Sequence, residues 1–275
     1  MTSVSSPAAP FPERHLERLP WPAVAAAGRR RGSTVLWAWG SLEQHGLHLP
    51  LNTDALFADR LVEALIHRLP AELPIWRLPV QTIGFAPEHQ GFAGTFSLRA
   101  ADLITLVRVV GAELARCGFR RLVLMNGHGG QIGLLEVAAR ELRASHPSLT
   151  VLPCFLWRGL GELATLIPEP ERSHGLHAGL AETSLMLHLA PELVGPEWKA
   201  DGPDPRDAPP PGWSWEGGAP TAWLTGEISA SGVIGDPRGA TAELGRVLFE
   251  GLLDAWDQRL RSLLSSDWPP MELRP

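Results

Sequence analysis

Four short apolar runs, spaced by amphipathic segments of helical length, constrain this chain more than any other feature. Positions 33–39, 75–80, 121–125 and 149–156 each read as a buried strand, the first ending at Gly40. Between and after them, 53–69, 101–116, 131–144, 178–189 and 240–264 read as helices. In the first of these, Leu56, Leu61, Leu65 and Leu69 lie near helical spacing and Pro70 ends the run. In the second, Leu103, Leu106, Val107, Val110 and Leu114 form one apolar stripe. Pro79 lacks an N–H, which places its strand at an edge of the sheet or the proline at a strand end. Strands that alternate with helices predict βα units, and so an α/β fold whose mostly parallel sheet is covered on both faces.

Composition narrows the function classes. The chain has 275 residues, 44% of them hydrophobic and 20% charged, enough for a substantial core. Its 24 basic and 30 acidic side chains give a net charge of −6, and Lys199 is the single lysine. That leaves no basic stripe for nucleic acid. The two cysteines, Cys117 and Cys154, make no disulfide framework and suit a reducing compartment. The first residues lack a signal-peptide pattern, and no apolar stretch reaches the ~20 residues of a membrane span. A cytoplasmic globular protein is the expectation. Residues 1–22 read as a Pro-rich N-terminal arm and 23–275 as a single domain. The segment 195–219 breaks the alternation with Pro203, Pro205, Pro209, Pro210 and Pro211 and with Trp198, Trp213 and Trp215. It reads as a lid, an interface arm, or a surface excursion that packs its own tryptophans.

Polar residues collect where strands end, the usual place for sites in open α/β sheets. Gly40 is followed by Ser41-Leu42-Glu43-Gln44-His45-Gly46-Leu47-His48-Leu49-Pro50-Leu51-Asn52-Thr53-Asp54. Along extended chain Glu43 and His45 share a side, and Asp54 falls in the first turn of the next helix. Two carboxylates and an imidazole that converge can hold a divalent metal. Taken alone, Asp54 or Thr53 could simply cap the helix. The second cluster, Asn126-Gly127-His128-Gly129-Gly130, leaves His128 uncovered between glycines. It lacks the Lys and Ser/Thr of a phosphate loop, and the chain has no G-x-S-x-G elbow to accompany an esterase oxyanion loop. The third cluster places His177 before a helix and Glu182 in its first turns, where the helix dipole alone would favour an acid. His89 lies in a Gly-rich segment that either lines a pocket or only turns the chain. His174 reads as solvated, and His15, His67, His146 and His188 as structural.

These motifs resemble the creatininase family of metal-dependent amidohydrolases. The resemblance runs over roughly residues 20 to 262. It rests on Glu-Gln-His-Gly-x-His-Leu-Pro-Leu-x-Thr-Asp at 43–54, Glu-His-x-x-Phe-x-Gly-Thr at 88–95 and Asn-Gly-His-Gly-Gly at 126–130. His-Ala-Gly…Glu-Thr-Ser at 177–184 and Gly-Asp-Pro-Arg at 235–238 follow in the same order. It implies a three-layer α/β/α sandwich, a homohexamer or other homo-oligomer, and two divalent ions per subunit, zinc, manganese or iron. Glu43 and His128 would hold one ion and His45 the other, with Asp54 between them. Creatininase proper has a Glu ligand two residues past the loop His, where this chain has Gly130. Glu182 is expected to supply that carboxylate and to share the catalytic work with His177, the expected proton donor. Gln44, His89, Asn126 and Gly129 are expected to contact substrate or support the ligands.

Creatininase's substrate-facing Trp, Asp and Glu correspond here to Ser173, His174 and Leu176, and its Tyr after the loop His to Gly129. The Asn-Gly-His-Gly-Gly branch resembles formamidopyrimidine deformylases and the peptidase of mycofactocin maturation instead. The resulting expectation is hydrolysis of an amide or formamide C–N bond in a small molecule by metal-activated hydroxide. A metallopeptidase that trims a short peptide, and a non-catalytic metal-stabilised assembly subunit, are the alternatives.

Overall fold

The computed structural model describes residues 13–204, 206 and 208–269. Its centre is a four-stranded sheet in the order β2-β1-β3-β4. The strands are β1 (Thr34–Trp39), β2 (Ile75–Gln81), β3 (Arg121–Asn126) and β4 (Thr150–Phe155), and every pairing is parallel. Every residue of β1 and β3 is buried, as strands covered on both faces require. Pro79 in β2 and Pro153 in β4 sit on the two edge strands, where a missing N–H is tolerated.

Helices cover both faces. They are α1 (Trp21–Gly28), α2 (Thr53–Arg68), α3 (Ala100–Arg116), α4 (Ile132–Ser145), the short α5 (Glu171–His174), α6 (Leu180–Leu189), the short α7 (Thr225–Ile228) and α8 (Ala242–Ser265). The period-two alternation of β1 divides the core. Leu36 and Ala38 join α2, α6 and α8 on one side, and Val35, Trp37 and Trp39 join α1, α3 and α4 on the other. The predicted α/β architecture is therefore present, with an all-parallel sheet. Element boundaries fall within two residues of those read from sequence.

Residues 1–12 of the expected arm lie outside the described residues. From Glu13 onward the chain is packed: Arg77 N donates to Arg14 O at 2.8 Å and Leu16 is buried in the core. Helix α1 begins within the 1–22 stretch, at Trp21. The Pro/Trp-rich segment packs partly on itself. The Trp198 indole N–H donates to Gly195 O at 2.7 Å and the Trp223 indole N–H to Trp215 O at 3.2 Å. Asp201 bridges to Gly235, while Trp213 is exposed. No helix among the described residues is long and apolar enough to cross a membrane.

Candidate metal centre

From β1 the chain passes through α2 to β2 on one side, and from β3 through α4 to β4 on the other. The carboxyl ends of β1 and β3 therefore form a topological switch point, with a crevice between the diverging connections. Gly40 ends β1 in close contact with α2. A Cβ there would stand 2.3 Å from the backbone nitrogen of Ala55, so only glycine lets the first turn of α2, with Asp54, fold back beside the strand end. Glu43 and His45 follow β1, and His128 follows β3. The loop around His128 is braced by Asn126, whose side-chain oxygen accepts from His128 N at 3.0 Å and whose amide donates to His128 O at 2.7 Å.

The polar side chains converge in the interior. His128 Nδ1 lies 3.2 Å from Glu43 Oε1 and 3.1 Å from Asp54 Oδ2. His45 Nε2 lies 3.5 Å from Asp54 Oδ1. Two donor groups result, Glu43–Asp54–His128 and His45–Asp54–Glu182, with Asp54 in both. Glu43 also groups with His45 and His177, and with Glu88 and His89. Four atoms here are buried without an aligned hydrogen-bond partner among the described residues: both Glu43 carboxylate oxygens, His45 Nε2 and Asp54 Oδ2. Buried polar atoms are nearly always satisfied, so four unmet atoms gathered in one place fit a bound cation. Mixed carboxylate and imidazole donors fit a divalent ion such as zinc or manganese.

The electrostatics agree with that fit. Burial would raise the Glu43 carboxyl, but the adjacent His128 and His89 imidazoles hold it well below the ordinary carboxylate range. Burial would lower His45, yet Asp54, Glu182 and Glu43 raise it to about 9, and His128 is raised in the same way by Glu43 and Asp54. Burial raises Glu182 to about 7. A cluster of buried carboxylates draws cations, and protons on His45 and His128 meet part of that demand.

Supporting residues are fixed by identifiable contacts. The Gln44 amide donates to Gly232 O at 3.1 Å and lies 2.9 Å from His89 Nδ1, and the Thr225 hydroxyl lies 2.7 Å from the same nitrogen. With Nδ1 accepting from both, the His89 proton sits on Nε2, 3.3 Å from Glu43 Oε1. His177 Nε2 donates to Gln44 O at 2.7 Å. Burial, with His89 and His45 nearby, lowers His177 well below its ordinary value. This ring therefore presents a lone pair at Nδ1. Ala178 follows with φ of 52°, a strained turn for a residue with a Cβ, and its N–H donates to Glu182 Oε2 at 2.6 Å.

A cavity of about 230 Å³ opens beside His177 and Glu182, walled by Phe155, Trp157, Ile167 and Leu176, with Arg172 and Glu216 among its polar lining. Gly129 lines it, and nothing lies within 4 Å of where its Cβ would be. His174 is exposed and bonded to Ser173, and His15, His67, His146 and His188 lie outside the donor groups. Sequence reasoning gave no role to Glu88, Thr225 or Glu216. Glu88 stands next to His89 in one of the motifs, which could have flagged it. Thr225 and Glu216 come from segments with no recognisable pattern.

The creatininase family model, described as creatinine amidohydrolase, matches residues 17–260. The mycofactocin precursor peptide peptidase of Mycobacterium tuberculosis (strain ATCC 25618 / H37Rv) is 38% identical over 222 residues, 78% of this chain and 79% of that protein. The creatinine amidohydrolase of Pseudomonas putida is 33% identical over 206 residues, 70% of this chain and 77% of that protein. Among solved structures, a manganese creatininase superposes with a TM-score of 0.74 at 25% identity, covering 93% of this chain and all of that one.

Proposed function

The chain belongs to the creatininase family of hydrolases, and on that premise we propose that it is a dinuclear metal-dependent amidohydrolase that trims a short peptide. The observation that carries the metal reading is the set of four unmet buried donor atoms on Glu43, His45 and Asp54. Glu43, Asp54 and His128 would hold one divalent ion, and His45, Asp54 and Glu182 the other. The bound ions would supply hydroxide near neutral pH and a Lewis acid for the scissile carbonyl.

The chain's own residues supply the proton chemistry and the positioning. His177 is neutral, with its Nε2 proton committed to Gln44 O. It takes a proton at Nδ1 and returns it to the departing amide nitrogen. His89, held by Gln44 and Thr225, fixes its Nε2 3.3 Å from Glu43 Oε1, beside that carboxylate. The peptide reading is favoured over the small-molecule one by the similarity to peptide peptidases and by the cavity beside His177, whose lining mixes apolar and charged side chains. Ser173 and His174, which stand where creatininase carries substrate contacts, are exposed and bonded to each other.

Protein loaded with Zn²⁺ or Mn²⁺ is expected to cleave short peptides, to leave creatinine intact, and to lose activity on chelation. His177→Ala should lower kcat by roughly 10²- to 10⁴-fold with bound metal unchanged. Turnover of creatinine with every peptide untouched would overturn the substrate assignment, and unchanged kcat in the variant would remove His177 from the chemistry.

A further inference from the structure

Glu88 lies in the tight turn Pro87–His89, and its side chain is only 14% exposed. Its Oε1 is 3.2 Å from His128 Nε2. The other nitrogen of that ring, Nδ1, faces Glu43 and Asp54, so Nδ1 is the atom open to a cation and Nε2 carries the proton. Phe85 O, at 3.0 Å, accepts from the same Nε2–H. The hydrogen bond to Phe85 O and the Glu88 carboxylate beside the same nitrogen define both the tautomer and the plane of the ring.

A second, independent observation comes from Gly130. A Cβ at that position would stand 1.7 Å from Glu88 Oε1 and 2.7 Å from His128 Nε2. The Glu88 carboxylate therefore occupies volume that any side chain at 130 would need. The residue that approaches and the residue that leaves room are a matched pair, brought together from two different loops.

We propose that Glu88 is the positioning carboxylate of His128, holding its Nε2–H so that Nδ1 faces the cation, and that the bare backbone at Gly130 is what admits it. The proposal rests on the metal-dependent reading above. Its test is Zn²⁺ affinity, measured on the full chain by competition with a chelating indicator and followed by the absorption spectrum of the Co²⁺ form.

Glu88→Ala is expected to weaken binding of one ion about 10- to 100-fold and to change the Co²⁺ spectrum. Glu88→Gln, whose amide oxygen still accepts from Nε2–H, should restore both close to wild type. Gly130→Ala should reproduce the Glu88→Ala loss by displacing the carboxylate, and the double variant should lose no more than either single one. Thermal melting of the metal-free proteins checks folding. If Gly130→Ala does not fold, the Glu88 pair decides the matter.

Wild-type affinity in Glu88→Ala overturns the proposal. So does an equal loss in Glu88→Gln, which would make Glu88 a direct donor. A wild-type chain that binds neither Zn²⁺ nor Mn²⁺ would instead fail the underlying metal reading, before any variant is compared.

Discussion

The two ends of the sheet differ in how their buried charges are satisfied. At the amino end, a cavity of about 670 Å³ is lined by Arg29, Arg30, Arg31, Arg120 and Arg121. It is the larger of the two spaces, yet its deepest charge is already met. Arg121 is 2% exposed and donates to Trp268 O at 2.8 Å and to Ser266 O at 2.9 Å, tying the segment after α8 to the start of β3. Arg31 pairs with Asp267. At the carboxyl end the cavity is about 230 Å³, and the carboxylates and imidazole beside it have atoms with no hydrogen-bond partner among the described residues. Volume marks a space, whereas several unmet buried atoms on clustered carboxylates and an imidazole mark a site, because burying such charge-bearing groups without partners costs several kcal/mol.

The largest effect that would sharpen this contrast is at Asp54, the donor shared by both groups. Asp54→Asn should lower kcat/KM on the order of 10³-fold, about 4 kcal/mol of transition-state stabilisation, and reduce bound metal. The metal-free variant should melt no lower than wild type, since a carboxylate leaves a crowded anionic cluster. A strong loss of stability without loss of metal would make Asp54 a structural residue and break the comparison.

Arg121→Met inverts that pattern. Removing a buried guanidinium that satisfies backbone carbonyls should destabilise the fold by roughly 3 kcal/mol in denaturant unfolding, with peptide turnover per folded molecule unchanged. Full stability together with lost turnover would instead give the amino end a functional role.

The smallest effect is at His48, which lies between the site and the Trp-rich segment. Its Nε2 is 2.8 Å from Thr183 Oγ1, and burial, with the His45 charge, lowers its pKa to about 4. A histidine held neutral by the fold favours folding above its unfolded pKa near 6.5. That contribution disappears as the pH falls through about 4. The stability of wild type should therefore fall more steeply than that of His48→Gln between those two values. Parallel melting curves over that window would show that His48 protonates without penalty.

Much of this was legible in the chain. The family and the α/β fold follow from the apolar runs and five ordered motifs. Glu43, His45, Asp54 and His128, named from their spacing and likeness, are brought together in one place. Less legible was how the supporting residues act. Asn126 braces its own loop, and the Nε2 proton of His177 is committed to Gln44 O. The Asn126 contacts are local, made two residues along the chain, whereas Gln44 reaches His177 only through tertiary folding.

The sequence by itself determined the strands, the helices and the donor types, since periodicity and motif chemistry act within a few residues. Tertiary structure alone decided which atom of each side chain faces the others. It set the Nδ1 of His128 toward Glu43 and Asp54, placed Glu88 in the space beside Gly130, and committed the Nε2 proton of His177 to Gln44 O. The physical reason is that tautomer and ring orientation depend on hydrogen-bond partners tens of residues away, such as Phe85 for His128 and Gln44 for His177.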